Sequence, residues 1–238
     1  SVMERWLKAM ADRGLGPMTR RARIFRVRRY LDWLVENNAT AVDTDDLLRL
    51  TDLPKIPSYL PRPFPPDADR ALQQRLLATG SLYGQALFLM RRTGLRIGEL
   101  VRLDPFCLQK DRADNALLKV PLGKLDNERL VPLDHEARRV LESLERSRKD
   151  GAQFLLEPDS ARPLLILRLG HTLKEAAKGL DIQGPIVSHR LRHTYATELL
   201  NAGLSLVAIM KLLGHRSFRM TMRYAAITHD TVAKDYHA

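Results

Sequence analysis

The densest group of reactive side chains lies in SHRLRHTYATELLNAG, followed closely by LLGHRSFRMTMRY. On a helix beginning at Ser188, His189 and Arg192 are three apart and share a face. Leu191, Tyr195 and Leu199 fall on another face and would anchor that helix in a core. Cationic groups beside a helix N-terminus sit badly with its dipole, but the same place suits an anion. The combination reads as a phosphate pocket. His189 and His193 are also four apart, which raises zinc. Arg190 stands where a zincin helix has its glutamate, and Arg192 would repel a cation. His193 is therefore read as a structural, hydrogen-bonded histidine, and no metal is expected.

Farther on, LLGHRSFRMTMRY places Tyr224 nine residues after His215, and upstream stand TGLRIGELVRL and GKLDNERLVPL. Together these segments resemble the motif set of the tyrosine recombinases, the phage integrases and Xer-like proteins. The C-terminal pair resembles the family's His-x-x-Arg-His helix, Leu-Gly-His turn and following tyrosine. TGLRIGELVRL resembles the first-arginine motif. GKLDNERLVPL resembles the hairpin motif, usually Gly-Lys-Gly-x-x-x-Arg-x-x-Pro-Leu, with Leu125 where glycine is common and Asp126 adding an acid beside the lysine. Each motif alone is weak; the ordered set spans Asp67 to the end.

The resemblance implies a role for each matching position. Arg96 and Arg192 would clamp the non-bridging oxygens of a scissile phosphate, and Lys124 would protonate the leaving 5′ oxygen. His189 would assist proton transfer with the nucleophile, and His215 would donate a hydrogen bond to the phosphate. Tyr224 would attack phosphorus, with Glu99 orienting the arginines from behind. Tyr195 and Tyr236 are rivals for the nucleophile, but spacing from His215 favours Tyr224. Lys119 is a neighbour of Lys124 with a less suitable strand position.

These residue types suit such chemistry. A phenol ionises near pH 10, so it needs a cationic site and a base to become a nucleophile at neutral pH. Charge growing on phosphoryl oxygens must meet preorganised donors, here side chains in place of metal ions. A phosphotyrosine conserves the phosphodiester's energy, so rejoining needs no ATP. The sequence contains no P-loop, and no cofactor is expected.

Positioning these groups falls to the rest of the chain. Six prolines, Pro54, Pro57, Pro61, Pro63, Pro65 and Pro66, mark residues 54–66 as a stiff linker. Before it, Met18–Asn37 has Ile24, Val27, Leu31 and Leu34 at helical spacing, opposite Arg20, Arg21, Arg23, Arg26, Arg28 and Arg29. That basic face suits phosphate contacts along DNA. After the linker, helices are expected over Asp67–Thr93, Leu95–Leu103, Glu136–Lys149, Leu164–Leu180, Ser188–Asn201 and Ser205–Leu213, with a short one from Ser217. Cys107–Leu108, Leu117–Pro121 and Leu130–Leu133 read as a small antiparallel meander. Ser188, Ser205 and Ser217 are the expected N-caps.

The fold expectation is thus α+β, mainly helical with a small antiparallel sheet. Residues 1–53 would form a reduced or partial core-binding domain, 54–66 a linker and 67–238 the catalytic domain. The chain has 238 residues, 45% hydrophobic, which supports a real core. No apolar run is long enough to span a bilayer, and a single cysteine excludes an internal disulfide. These features point to a reducing cytoplasm.

A net charge of +11 favours a polyanionic partner. The resemblance implies double-stranded recombination sites, assembly into a tetramer on DNA from a protein that is monomeric when free, and accessory DNA-bending or directionality factors. The first reading is an integrase-type recombinase of a phage or mobile element acting through a 3′-phosphotyrosine. The alternatives are a topoisomerase IB-like relaxing enzyme and a non-catalytic DNA-binding descendant.

Overall fold

The computed structural model describes residues 1–40, 43–56, 60–121, 128–156, 162–215, 217–218, 220–222 and 224. The chain forms two compact units, Ser1–Tyr59 and Leu60–Ala238.

The first unit is small and helical. Helix α1 (Val2–Asp12) opens with a capping box between Ser1 and Glu4. Helix α2 (Pro17–Glu36) starts with proline at its first turn, where no backbone donor is needed. A one-turn helix, α3 (Thr44–Leu47), and a 3₁₀ turn at Leu50–Asp52 complete the unit. Met10, Ile24 and Leu48 form its core, with Trp6, Leu7, Val27 and Leu31 against them. Arg28 donates to the Leu48 carbonyl at 2.6 Å and pairs with Asp45, so it fastens α2 to α3.

In the second unit, α4 (Pro66–Ala78) begins on the last proline of the proline-rich stretch, at helix position N1. Helix α5 (Leu82–Thr93) is the hub: Ala86–Met90 are almost wholly buried, and α5 packs against five other helices. A helix was expected over Leu95–Leu103, but only α6 (Ile97–Leu100) forms. Pro105 disfavours helical backbone at Asp104, whose carboxylate instead accepts from the Phe106 amide in a local turn.

Strands β1 (Leu108–Lys110), β2 (Ala116–Val120) and β3 (Arg129–Pro132) make an antiparallel sheet in the order β1-β2-β3, with Val120 opposite Arg129. Ala116, Leu118 and Val120 alternate into the core, as the pleat requires. Helices α7 (His135–Arg146), α8 (Arg162–Ala176), α9 (Ser188–Asn201) and α10 (Leu206–Leu213) follow. Ser205 caps α10 by accepting from the Ala208 amide. Ser188 is not a cap: extended Val187 takes that position and Ser188 is the first helical residue. The architecture is mostly helical with one small antiparallel sheet, matching the expected class.

Candidate active site

Two helix ends and one carboxylate hold the arginines. Helices α5 and α10 both stop at a left-handed glycine, Gly94 at φ +64° and Gly214 at φ +62°. Their terminal carbonyls lack helical donors and carry the negative end of the dipole. Arg192, on α9, is 1% exposed and fills this need twice, donating to the carbonyls of Gly94 and Leu213 at 2.6 Å each. Arg129, at the start of β3, donates its Nε to the Leu212 carbonyl at 2.7 Å.

Glu99 lies between the cations. Arg129 grips it with two bonds, at 3.1 and 2.8 Å, and Arg96 donates Nη1 to it at 2.8 Å. The Arg96 amide also donates to Glu99, closing the cap of α6, and Arg192 approaches within 3.9 Å. Burial opposes ionising Glu99, but Arg129, the Arg96 backbone and Arg192 outweigh it and bring its pKa down to about 2.

Three guanidinium groups therefore surround one carboxylate, an excess of positive charge shaped for an anion. The excess acts on nearby groups. Burial, with Arg96 and Arg129 adding to it against the pull of Glu99, brings Arg192 down to about 9. Burial, with Arg192, Arg96 and Arg129 adding to it, brings His215 down to about 3. Arg192 stays cationic at neutral pH; His215 stays neutral. His189 stands at the solvent-facing edge, where partial enclosure, Arg192 and Arg96 also lower its pKa.

His215, 7% exposed, follows α10 directly and bonds Thr221 Oγ1 through Nδ1 at 2.9 Å. Its ring lies nearly parallel to that of Tyr224, 6.3 Å away. Tyr224 is 3% exposed and packs with Tyr195, Ala196, Ile209 and Leu213. Its hydroxyl is 2.9 Å from Nδ1 of His193, and the His193 ring meets that of His189 edge to face at 4.4 Å.

The structure thus brings Arg96, Glu99, His189, Arg192, His215 and Tyr224 into one site. Lys124 lies outside the described residues, as does Tyr236; Lys119 pairs with Glu128 at 2.9 Å. Tyr195 is a poor rival, since burial first and Glu198 second push its phenol up to about 12. The arginines of α2 belong to the other unit; Arg23, Arg26 and Arg29 are exposed, and Arg20, Arg21 and Arg28 are half-buried. Arg28 is engaged by the Leu48 carbonyl and Asp45 rather than turned to solvent.

Sequence reasoning missed three contributors. Arg129 is the arginine of the hairpin motif, and that placement was its available signal. His193 was read as merely structural, and only the fold brings it to Tyr224, 31 residues away. Arg190 had no signal. Its guanidinium donates to the carbonyls of Arg62, Pro63, Gln183 and Pro185 and lies over the Phe64 ring, 4.5 Å from its centre. It thereby fixes the first turn of α9, which carries His189 and Arg192. Nearby, the Phe64 amide donates to Thr194.

Among the described residues no helix is long and apolar enough to cross a membrane.

Residues 70–230 match the model of the phage integrase family. The tyrosine recombinase XerD of Caulobacter vibrioides is 30% identical, over 98% of this chain and 78% of its own. Among solved structures, the Tn1549 transposon integrase in complex with circular intermediate DNA superposes with a TM-score of 0.69 at 21% identity, covering 92% of this chain and 78% of that one. XerH bound to its difH substrate before cleavage gives 0.73 at 17% identity, covering 94% and 66%.

Proposed function

Since the chain belongs to the phage integrase family, the tyrosine-type site-specific recombinases that cut and rejoin DNA, we propose that its chemistry runs through Tyr224 as the nucleophile. The observation that carries this reading is the convergence of two imidazoles on one buried phenol that also interacts electrostatically with Arg192 of the cationic cluster. Tyr224 Oη attacks the scissile phosphorus and the 5′ oxygen leaves, giving a 3′-phosphotyrosine. Arg96 and Arg192 receive the non-bridging oxygens, for which guanidinium forks suit better than point charges. His215 donates to the same phosphate, and His189, at the solvent side of the site, assists proton transfer with the nucleophile. Lys124 protonates the leaving oxygen. A free 5′ hydroxyl then attacks the phosphotyrosine, and the strand is resealed without an external energy source.

The preferred biological setting is integration and excision of a phage or mobile element, in the cytoplasm where its DNA lies. Residues 1–53 act as a reduced core-binding domain, with Arg20, Arg21, Arg23, Arg26 and Arg29 facing backbone phosphates. Residues 54–66 link it to the catalytic domain, 67–238. Four copies assemble on two recombination sites, with accessory DNA-bending or directionality factors setting the outcome.

The test uses a nicked suicide duplex whose core sequence is first selected from random DNA by binding to the chain. Wild type should form a covalent protein–DNA adduct, and Tyr224→Phe should form none while binding the same DNA. An adduct with Tyr224→Phe refutes the assignment.

A further inference from the structure

We infer that His193 is a catalytic residue, the base that takes the proton from the Tyr224 hydroxyl; this rests on Tyr224 being the nucleophile. The two groups are already hydrogen-bonded, Nδ1 to Oη at 2.9 Å, with ring centres 5.7 Å apart. In the tautomer protonated at Nε2, Nδ1 offers the lone pair to which the phenol donates. Geometry of this kind is the first requirement for a general base.

Burial sharpens the need for a local acceptor. Tyr224 is 3% exposed, so its proton cannot pass directly to bulk water. His215 faces the same phenol ring, but ring to ring, and its Nδ1 is bonded to Thr221. His189 meets His193 edge to face and stands at the solvent side of it. Helix α9 also sets His193 immediately after Arg192, so the base and the phosphate clamp share one rigid turn.

The step balances. The Oη–H bond breaks as Oη–P forms, the proton moves to Nδ1 to give an imidazolium, and the P–O5′ bond breaks with Lys124 supplying the leaving oxygen's proton. During rejoining, the imidazolium returns its proton to the departing phenolate.

The full chain with His193→Gln, which keeps a side-chain hydrogen-bonding group, is assayed on the selected suicide duplex for DNA affinity and for single-turnover adduct formation. Adduct formation should slow by about 100-fold, at the lower end of what general bases contribute, with affinity unchanged. Placing 3,5-difluorotyrosine at position 224 makes the phenol more acidic and less dependent on a base. It should recover about 10-fold of the loss in His193→Gln and change the wild type less. A His193→Gln protein that cleaves at the wild-type rate or faster overturns the inference, because the bond is then only a storage contact. So does a defect equally deep with either tyrosine, which leaves His193 a packing role. Either result leaves the nucleophile standing, since that is tested separately by Tyr224→Phe.

Discussion

Glu99 gathers the charges of the site, and its energetics make it the residue to perturb first. Its folded pKa of about 2 lies below the ordinary 4.5, so its stabilising contribution is complete above 4.5 and lost as pH falls through the window toward 2. His215 titrates in a higher window. Its folded pKa of about 3 against 6.5 means the unfolded chain takes up a proton that the folded chain refuses, so stability falls as pH drops from 6.5 toward 3. Urea unfolding measured from pH 7 to pH 3 should show both losses in turn. His215→Gln should flatten the part between pH 6.5 and 4.5. Glu99→Gln should flatten the part below 4.5 and cost about 3 kcal/mol at pH 7, because it leaves buried arginine charge uncompensated.

Among the elements, the left-handed ends of α5 and α10 matter most, because their carbonyls anchor Arg192. Gly94 has no tolerance for a side chain: its φ is +64°, and a Cβ there would overlap the Tyr195 ring. Gly94→Ala should cost about 3 kcal/mol in urea unfolding, combining backbone strain with overpacking. It should also weaken adduct formation, since the Gly94 carbonyl is one of the Arg192 acceptors. Unchanged stability in this variant would contradict the cap geometry. Helix α9 is held from two other directions, at its first turn by Arg190 and through Glu198 by Arg91, which also pairs with Asp69 on α4. The catalytic helix is thus fixed by carbonyls and ion pairs as well as by Leu191 and Ala196 in the core.

At the scale of the whole molecule the question is how the charge is used on DNA. Each neutralised phosphate contributes about 0.9 to the slope of log affinity against log salt. If Arg23, Arg26 and Arg29 face phosphates, replacing all three by glutamine should lower that slope by about 2–3, measured by fluorescence anisotropy across a salt series. Thermal stability should not change, since the three side chains are exposed. Arg28→Gln should behave differently, because Arg28 is bonded to Leu48 and Asp45 within its own unit. It should lower the melting temperature of that unit and leave the slope nearly intact.

The linear chain determined much of this by itself. Its periodicities marked the helices on either side of the site, and its ordered motifs marked Arg96, Glu99, His189, Arg192, His215 and Tyr224. Local rules reach that far because helix faces and turn residues depend on neighbours within a few positions. They overran at Leu95–Leu103, where Pro105 and the Asp104 turn cut the helix short. Only the tertiary structure decided that Arg129 shares Glu99 with Arg96, that Arg190 pins α9, and that His193 meets the phenol of Tyr224. The links from Arg129 to Glu99, from His193 to Tyr224 and from Arg190 to Arg62 join residues from 30 to 128 positions apart, and tertiary packing, not any local pattern, brings them within reach.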